Sequence, residues 1–249
     1  MIYIKSPLEI EAMARVGHIV ADVIRSLKGI VSAGVTTREI EHYAEERIRA
    51  LGGKSAFKGY RGYPSSICTS INEEVVHGIP SARRLKEGDI LSVDIGVCSD
   101  GFFGDAAFTF PVGTIDGESA RLLRVTEEAL HRGIEKAVEG SRVFDISHAI
   151  QSYVEQHGFS VVRTFVGHGI GRQLHEEPQV PNFGAPGHGP RLRQGMTLAI
   201  EPMVNAGAFD VKVLGDGWTA VTADGKRSAH FEHTVVVMPE RARILTNSN

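Results

Sequence analysis

The chain has 249 residues, of which 27 are basic and 30 acidic, giving a formal net charge of −3. Hydrophobic residues make up 42% and charged residues 23%, close to the averages of globular domains, which excludes a disordered or collagen-like chain. The sequence contains no long run of Lys and Arg and no apolar run of about 18 residues. We therefore expect no direct nucleic-acid site and no membrane span.

Cysteine usage and the first residues bear on the location of the protein. Cys68 and Cys98 are the two cysteines, and neither belongs to a CxxC motif. They cannot form a disulfide framework, so we expect free thiols in a reducing compartment. The first residues lack the basic and apolar regions of a secretory signal. The sequence thus predicts a cytoplasmic protein.

The first predicted element is a helix. Ser6 and Glu9 form a capping-box pattern with Pro7 at the first helical position. Apolar residues then recur with a period near 3.6 residues at Ile10, Met13, Ala14, Gly17, Val20, Ile24 and Leu27. A second helix is expected from near Thr36, with Glu39 three residues on, to Leu51. Two more helices are expected at 118–138 and 144–157.

Strand-like runs lie between and after these helices. The expected strands are 90–95, 102–110, 161–166, 196–204, 211–214, 218–222 and 230–238. The runs do not alternate regularly with helices, as they would in a doubly wound sheet. The pattern therefore predicts an α+β fold.

An internal repeat suggests two similar halves. Residues 85–94 align with residues 192–201 at an offset of 107, with leucine, glycine and a final carboxylate recurring in place. A turn and helix at 34–52 match 140–158 at an offset of 106. We expect one domain built from two helix-plus-strand halves, roughly 1–110 and 111–249. In that arrangement Asp94 and Glu201 end equivalent strands and face each other.

Five residues stand out as a possible metal site: Asp94, Asp105, His168, Glu201 and Glu232. Carboxylates in apolar strands are costly without a positive partner, and no Lys or Arg lies within these strands. Four carboxylates balance two divalent ions. Oxygen donors with one histidine favour Mn, Fe, Co or Zn over a structural thiolate zinc site. The alternative is that each acidic residue occupies a turn or a solvated strand edge.

Two further histidines, His77 and His175, lie among glycines and prolines, where functional side chains concentrate. A lone histidine is more often structural than catalytic. HExxH, the phosphate-loop motif and Gly-x-Ser-x-Gly are all absent from the sequence. Zincin, phosphate-loop and serine-hydrolase interpretations are therefore not supported.

Taken together, these motifs resemble those of the type I methionine aminopeptidases in the creatinase/aminopeptidase family. The resemblance covers nearly the whole chain and rests on residues 72–80, 94–105, 167–171, 175–178, 200–202 and 231–234. It implies a pseudo-twofold "pita-bread" α+β fold around a central site with two divalent ions. It also implies that the ligands are Asp94, Asp105, His168, Glu201 and Glu232.

The resemblance implies roles for the remaining candidates. Glu201 would be ligand and general base, while His77 and His175 would contact the substrate peptide. The methionine side-chain pocket would be lined by Tyr60, Tyr63, Cys68 and Trp218, although aromatic residues in such positions more often serve packing. Two residues depart from the commoner bacterial pattern, Phe57 where Cys is frequent and Leu174 where Phe is frequent. A monovalent ion near Asn72 and Ser228 is suggested by analogy alone.

The implied activity is removal of the initiator methionine from nascent polypeptides with a small second residue, at the ribosome and by a monomer. One alternative is a proline-specific aminopeptidase of the same fold, but those enzymes usually carry a large additional N-terminal domain. Another is a non-catalytic binding module on the scaffold, which should have lost ligands. A metal-storage protein would leave His77 and His175 unexplained.

Overall fold

The computed structural model describes residues 1–247, and its helices come in two pairs. The pairs have similar lengths, with a long helix followed by one of 14 residues in each. The helices are α1 (Pro7–Leu27), α2 (Thr37–Ala50), α3 (Gly117–Lys136) and α4 (Val143–Gln156). The chain therefore repeats one order of elements, a helix pair followed by strands.

Local capping explains where the first two helices begin. The backbone N–H of Ser6 donates to the Glu9 carboxylate at 2.9 Å, and the Ser6 hydroxyl accepts from the Glu9 N–H. Thr36 and Glu39 form the same pair of contacts at the start of α2. Each box satisfies backbone donors that the first helical turn leaves free. Both predicted capping boxes are confirmed.

The strands are short except for one hairpin. They are β1 (Lys54–Ser55), β2 (Cys68–Ile71), β3 (Glu74–Val76), β4 (Ile90–Ser99), β5 (Phe102–Pro111), β6 (Ser160–Val161), β7 (Gly167–Gly169), β8 (Glu176–Val180), β9 (Thr197–Ile200), β10 (Met203–Asn205), β11 (Val211–Val213), β12 (Ala220–Thr222), β13 (Ser228–His230), β14 (His233–Val236) and β15 (Arg243–Ile244). In one sheet β4 lies between β1 and β2 and also pairs with β5. The largest sheet of the second half has the order β15-β14-β9-β7-β8.

Several predicted strands differ from the observed ones. The run 90–95 continues to Ser99, so Asp94 lies in the middle of β4 and the expectation that it ends a strand was wrong. The strand continues because residues 96–99 remain paired with β5. The Phe57 ring packs so closely on Gly96 that a Cβ there would lie 2.4 Å from it. Of the run 161–166, only Val161 is in a strand.

Two long runs are each interrupted at a carboxylate. The run 196–204 breaks at Glu201 and Pro202, between β9 and β10. The run 230–238 breaks at Phe231 and Glu232, between β13 and β14. Proline lacks the N–H that a ladder needs. At each break, the glutamate lies outside the regular alternation of side chains between the two faces of a strand.

Two main hydrophobic clusters form the core. One packs α1 and α2 on the β4–β5 sheet, with Met13, Val20 and Ile95 buried within it. The other packs α3 and α4 on the second half, with Leu130 and Leu198 buried within it. The α+β architecture and its two helix-plus-strand halves are thus as expected from the sequence.

Two other expectations concern the thiols and the helices. Both cysteines are free, with Cys68 buried and Cys98 half-buried. Within residues 1–247, no helix combines the length and apolar character that crossing a membrane requires.

Candidate active site

A cavity of about 340 Å³ brings all the predicted site residues together. Metal-ligand candidates, the two loop histidines and the proposed methionine-pocket residues all contribute to its walls. They are Asp94, Asp105, His168, Glu201, Glu232, His77, His175, Tyr60, Tyr63, Cys68 and Trp218. Residues more than 170 positions apart in the chain thus share one cavity.

The β4–β5 hairpin positions the two aspartates. Asp94 pairs with Ala107, and Asp105 pairs with Gly96, two residues further along β4. Since side chains two residues apart lie on the same face of a strand, the two carboxylates are diagonal neighbours on one face. The hydroxyl of Thr234 accepts from the Asp105 N–H at 3.0 Å, which ties this hairpin to β14.

His168 lies in the middle of β7, between two glycines. A Cβ at Gly167 would lie 2.4 Å from the Ala199 carbonyl, and one at Gly169 would lie 2.2 Å from the Glu177 carbonyl. The glycines thus allow the neighbouring strands to approach. The His168 Nδ1–H donates to the Gly169 carbonyl at 2.9 Å. This contact leaves Nε2 free to act as a metal ligand.

Glu201 and Glu232 enter the cavity from the two strand breaks. The Glu201 carbonyl accepts from Asn182 Nδ2 at 3.0 Å, and the Glu232 N–H donates to the Ala107 carbonyl at 2.9 Å. Ligand atoms of Asp105, His168 and Glu232 all lie within 4.8 Å of one another. This spacing is compatible with a shared cation.

The electrostatics of this cluster favour bound cations. Burial and mutual repulsion raise the pKa values of Asp94, Glu201 and Glu232, and burial raises the pKa of Asp105 to about 7. Burial also lowers the pKa of His168 to about 4. In residues 1–247, no Lys or Arg forms an ion pair with any of the four carboxylates.

Unpartnered oxygens provide an independent test of the fit. Asp94 Oδ1, Asp105 Oδ1 and Glu232 Oε1 are buried without a hydrogen-bond partner among the described residues. Buried polar atoms are rarely left unsatisfied in proteins. Anionic oxygens that converge with one imidazole nitrogen and lack any protein cation match the ligand preferences of divalent metals. The residues present therefore fit a metal site.

The two loop histidines lie on the cavity walls. His77 directly follows β3 with a φ of 62°, a left-handed conformation that non-glycine residues seldom adopt. Its ring contacts Phe165 edge-on at 5.2 Å between centroids. His175 directly precedes β8, and burial lowers its pKa to about 3. Its imidazole is therefore neutral near pH 7.

Aromatic and sulfur-containing side chains line the apolar part of the cavity. The Tyr63 and Trp218 rings meet edge-on, with centroids 5.1 Å apart. The buried Tyr63 hydroxyl lies 3.0 Å from the Gly78 carbonyl, which anchors that ring. Phe57 and Leu174 also line the cavity.

Some lining residues escaped the sequence analysis. Phe165, Met203 and Arg61 line the cavity but belong to no recognisable motif. His230 is buried with its Nε2 3.8 Å from Glu201 Oε2, and its Nε2 has no hydrogen-bond partner in residues 1–247. Its position two residues before Glu232 was the available signal.

A buried ion pair supports the loop that carries His175. Lys5 Nζ donates to Glu176 Oε2 at 2.5 Å, and both side chains are only 4% exposed. Glu176 Oε1 also accepts the backbone N–H of Arg172 at 2.7 Å and that of Gln173 at 3.2 Å. The first residues of the chain thus hold the turn that ends at His175.

Comparison with known proteins assigns the family. The model of metallopeptidase family M24 matches residues 11–239. The chain belongs to this family. It is 54% identical over 246 residues to the methionine aminopeptidase of Clostridium perfringens, covering 99% of both chains. The crystal structure of methionine aminopeptidase from Thermotoga maritima matches with a TM-score of 0.98 and 51% identity, covering all of both chains.

These matches confirm the resemblance to methionine aminopeptidases and the pita-bread fold. The prolidase of Pyrococcus furiosus shares the M24 fold at a TM-score of 0.79 but is only 21% identical. This chain spans 66% of that prolidase's length. The likeness to prolidase therefore extends to the fold alone. By sequence, this M24 metallopeptidase groups with the methionine aminopeptidases.

Proposed function

We propose that this M24 metallopeptidase removes the N-terminal methionine from newly made polypeptides by hydrolysing their first peptide bond. The observation that carries the proposal is a single cavity with carboxylates on one side and an apolar, aromatic wall on the other. The full-length likeness to methionine aminopeptidases supports the same conclusion. The carboxylate side suits metal-assisted hydrolysis, and the apolar wall suits a methionine side chain.

The metal centre forms the first part of the proposal. Asp94, Asp105, His168, Glu201 and Glu232 would hold two divalent ions, chosen from Co, Mn, Fe and Zn. Four ionised carboxylates balance two such ions, and the unpartnered oxygens supply ligand atoms. Bound divalent ions lower the pKa of water and polarise a peptide carbonyl.

The remaining steps belong to the side chains of this chain. Glu201 accepts the proton of the attacking water and passes it to the leaving amine. His175 donates a hydrogen bond to the oxygen of the scissile carbonyl as negative charge develops there. His77 orients the substrate amide from the opposite wall. Both histidines have pKa values lowered by burial, so each is a neutral hydrogen-bonding group near pH 7.

Specificity follows from the cavity walls. Tyr60, Tyr63, Cys68 and Trp218 surround an apolar space suited to a flexible thioether. His77 and His175 crowd the position next to the scissile bond, so the second residue of the substrate must be small. Leu174 lines the same cavity and occupies less volume than a Phe would, which relaxes this crowding slightly.

The cellular setting completes the proposal. We propose that residues 1–249 form a single catalytic domain that acts as a cytoplasmic monomer on nascent chains at the ribosome. Nascent N-termini are the substrate, with no membrane and no direct nucleic-acid site involved. Free cysteines and the lack of long basic runs support this setting.

The decisive experiment is peptide cleavage by metal-free protein after separate addition of Mn²⁺, Fe²⁺, Co²⁺ or Zn²⁺. Release of Met from Met-Ala peptides with at least one ion supports the proposal. Preferential cleavage of Xaa-Pro peptides would move the assignment to proline-specific peptidases. Metal binding without turnover on either class would indicate a binding module.

A further inference from the structure

The contacts of Tyr60 extend beyond the methionine pocket. Its hydroxyl oxygen lies 3.0 Å from His175 Nδ1. The two rings also stack, with centroids 5.2 Å apart and planes 16° from parallel. On the other side, the His168 ring lies 4.1 Å from the His175 ring, tilted by 39°. His175 is therefore held between Tyr60 and a metal-ligand candidate.

The turn that carries Tyr60 is itself well defined. The Tyr60 N–H donates to the Phe57 carbonyl at 2.9 Å, and the Tyr60 carbonyl accepts from the Tyr63 N–H at 2.9 Å. Gly59 and Arg61 both have positive φ values, 84° and 49°. These contacts define the backbone of the turn from which the Tyr60 side chain reaches His175.

The Tyr60–His175 contact bears on which nitrogen of the neutral imidazole carries the proton. One ring nitrogen carries the proton and donates, and the other accepts. Among the described residues, His175 Nε2 has no hydrogen-bond partner, so it is the nitrogen available to a substrate carbonyl. It can donate only if the proton is on Nε2, and Nδ1 must then accept from a neighbour. The Tyr60 O–H is the donor in reach.

We propose that Tyr60 is a positioning residue, whose hydroxyl donates to His175 Nδ1 and thereby keeps the imidazole in the Nε2–H tautomer that donates to the substrate carbonyl. This inference rests on the proposed role of His175. It gives the Tyr60 hydroxyl a function separate from the apolar ring face that lines the methionine pocket.

The first test measures the tautomer directly. In ¹⁵N-histidine-labelled protein loaded with diamagnetic Zn²⁺, the His175 nitrogen signals are assigned by their loss in His175→Ala. Wild type should show the Nε2–H pattern, and Tyr60→Phe should show a mixture of tautomers. An unchanged pattern in Tyr60→Phe would overturn the proposal. This readout does not depend on any peptide being cleaved, so it remains decisive if the proposed activity fails.

The second test uses kinetics with Met-Ala peptides. Tyr60→Phe should lower kcat about 3- to 10-fold, the effect of one hydrogen bond, with KM changed less than twofold. In the His175→Ala background, the same substitution should have no further effect on kcat. Equal losses in both backgrounds, or a change in KM alone, would show that Tyr60 acts only through the methionine pocket.

A matched control removes a tyrosine hydroxyl elsewhere. Tyr153 lies on α4 and packs against Arg132, with the guanidinium carbon 4.3 Å from the ring centre. Tyr153→Phe should leave both the His175 signals and kcat unchanged. If Tyr153→Phe lowered kcat as much as Tyr60→Phe does, the Tyr60 hydroxyl would have no specific role in positioning His175.

Discussion

His168 Nε2 lies 3.5 Å from Glu201 Oε1, although His168 lies in β7 and Glu201 lies at the break between β9 and β10. The same nitrogen lies 4.0 Å from Asp105 Oδ2, on the hairpin of the other half. Because the three groups come from separate elements, none of them is placed by local sequence alone. Their convergence is the property on which the predicted metal chemistry depends.

Replacing a proposed carboxylate ligand by its neutral amide should abolish activity while stabilising the metal-free protein. Asp94→Asn and Glu201→Gln should abolish turnover, because each removes one negative charge from a site that needs about four for two dications. In metal-free protein the same changes should raise the melting temperature, since burial and repulsion already disfavour the charged forms. Peptide-cleavage assays with metal analysis measure the loss of turnover, and calorimetry of metal-free protein measures the melting temperature.

The control for this prediction is Asp210→Asn, which changes an exposed aspartate. It should leave metal content, turnover and melting temperature unchanged. Near wild-type activity with full metal occupancy in either ligand variant would contradict the assigned metal site.

The stability of the metal-free protein should depend on pH. Because the carboxyl pKa values are raised in the folded state, that state binds more protons than the unfolded state. The free energy of unfolding therefore falls as the pH rises towards the carboxyl pKa values of the folded state, which is about 7 for Asp105. The buried histidines oppose this trend below about pH 6.5, because their folded pKa values are lowered. This opposition fades between about pH 6.5 and 7.5, as the histidines of the unfolded chain lose their protons, and the carboxyl effect remains.

The measurement is chemical denaturation of metal-free protein between about pH 6.5 and pH 8. The free energy of unfolding should fall by about 1.4 kcal/mol per pH unit for each proton that the folded state retains. Asp105→Asn should reduce this slope. A free energy that rises over the same range would show that the carboxylates have a protein cation as partner.

Removing the His175 imidazole should affect turnover more than binding. His175→Ala should lower kcat by about 100- to 1000-fold while KM changes little, because the hydrogen bond strengthens as charge develops on the carbonyl oxygen. Steady-state kinetics on Met-Ala peptides check this. An unchanged kcat would exclude His175 from the mechanism.

The specificity proposal predicts the order of peptide substrates. Met-Ala peptides should be cleaved faster than Met-Lys peptides, and norleucine should replace methionine with little loss. Leu-first peptides should fall by about 10- to 200-fold in kcat/KM, the usual cost of a change in shape in an apolar pocket. Equal rates for Met-Ala and Met-Lys would refute the crowding by His77 and His175.

Breaking the Lys5–Glu176 pair should disturb the His175 turn. Lys5→Met leaves a buried carboxylate without its cation, which typically costs about 3–5 kcal/mol. Adding Glu176→Gln should restore part of that stability because the unpaired charge is removed. Denaturation curves of the two single variants and the double variant give the coupling free energy between Lys5 and Glu176. If the losses in unfolding free energy were additive, the pair would have no structural role.

Sequence patterns predicted the parts of the fold that depend on neighbouring residues. The Ser6–Glu9 and Thr36–Glu39 boxes act within one helical turn, so both helix starts were predictable. The two-residue strand β1 depends on pairing with β4, more than 40 positions later in the chain, and was missed. The strand predicted at 90–95 was too short, because the pairing of residues 96–99 with β5 is visible only in three dimensions.

In the candidate site too, residue type and local context were predictable from the sequence, whereas three-dimensional placement was not. Buried carboxylates without a nearby cation identified Asp94, Asp105, Glu201 and Glu232 as a group, because charge cost is a property of residue type and context. The strand breaks that orient Glu201 and Glu232 were not predicted. Neither was the placement of Phe165 and Met203, since apolar side chains carry no chemical signature.

The order of the ligands along the chain has a consequence for how this protein is made. Asp94 is synthesised well before Glu232, and Lys5 contacts a residue 171 positions later. While the ribosome is still adding residues of the second half, the carboxylates of the first half have no complete site to join. A metal centre built from these residues can therefore form only after most of the chain has been translated, so the proposed activity on nascent chains is withheld from the protein's own synthesis.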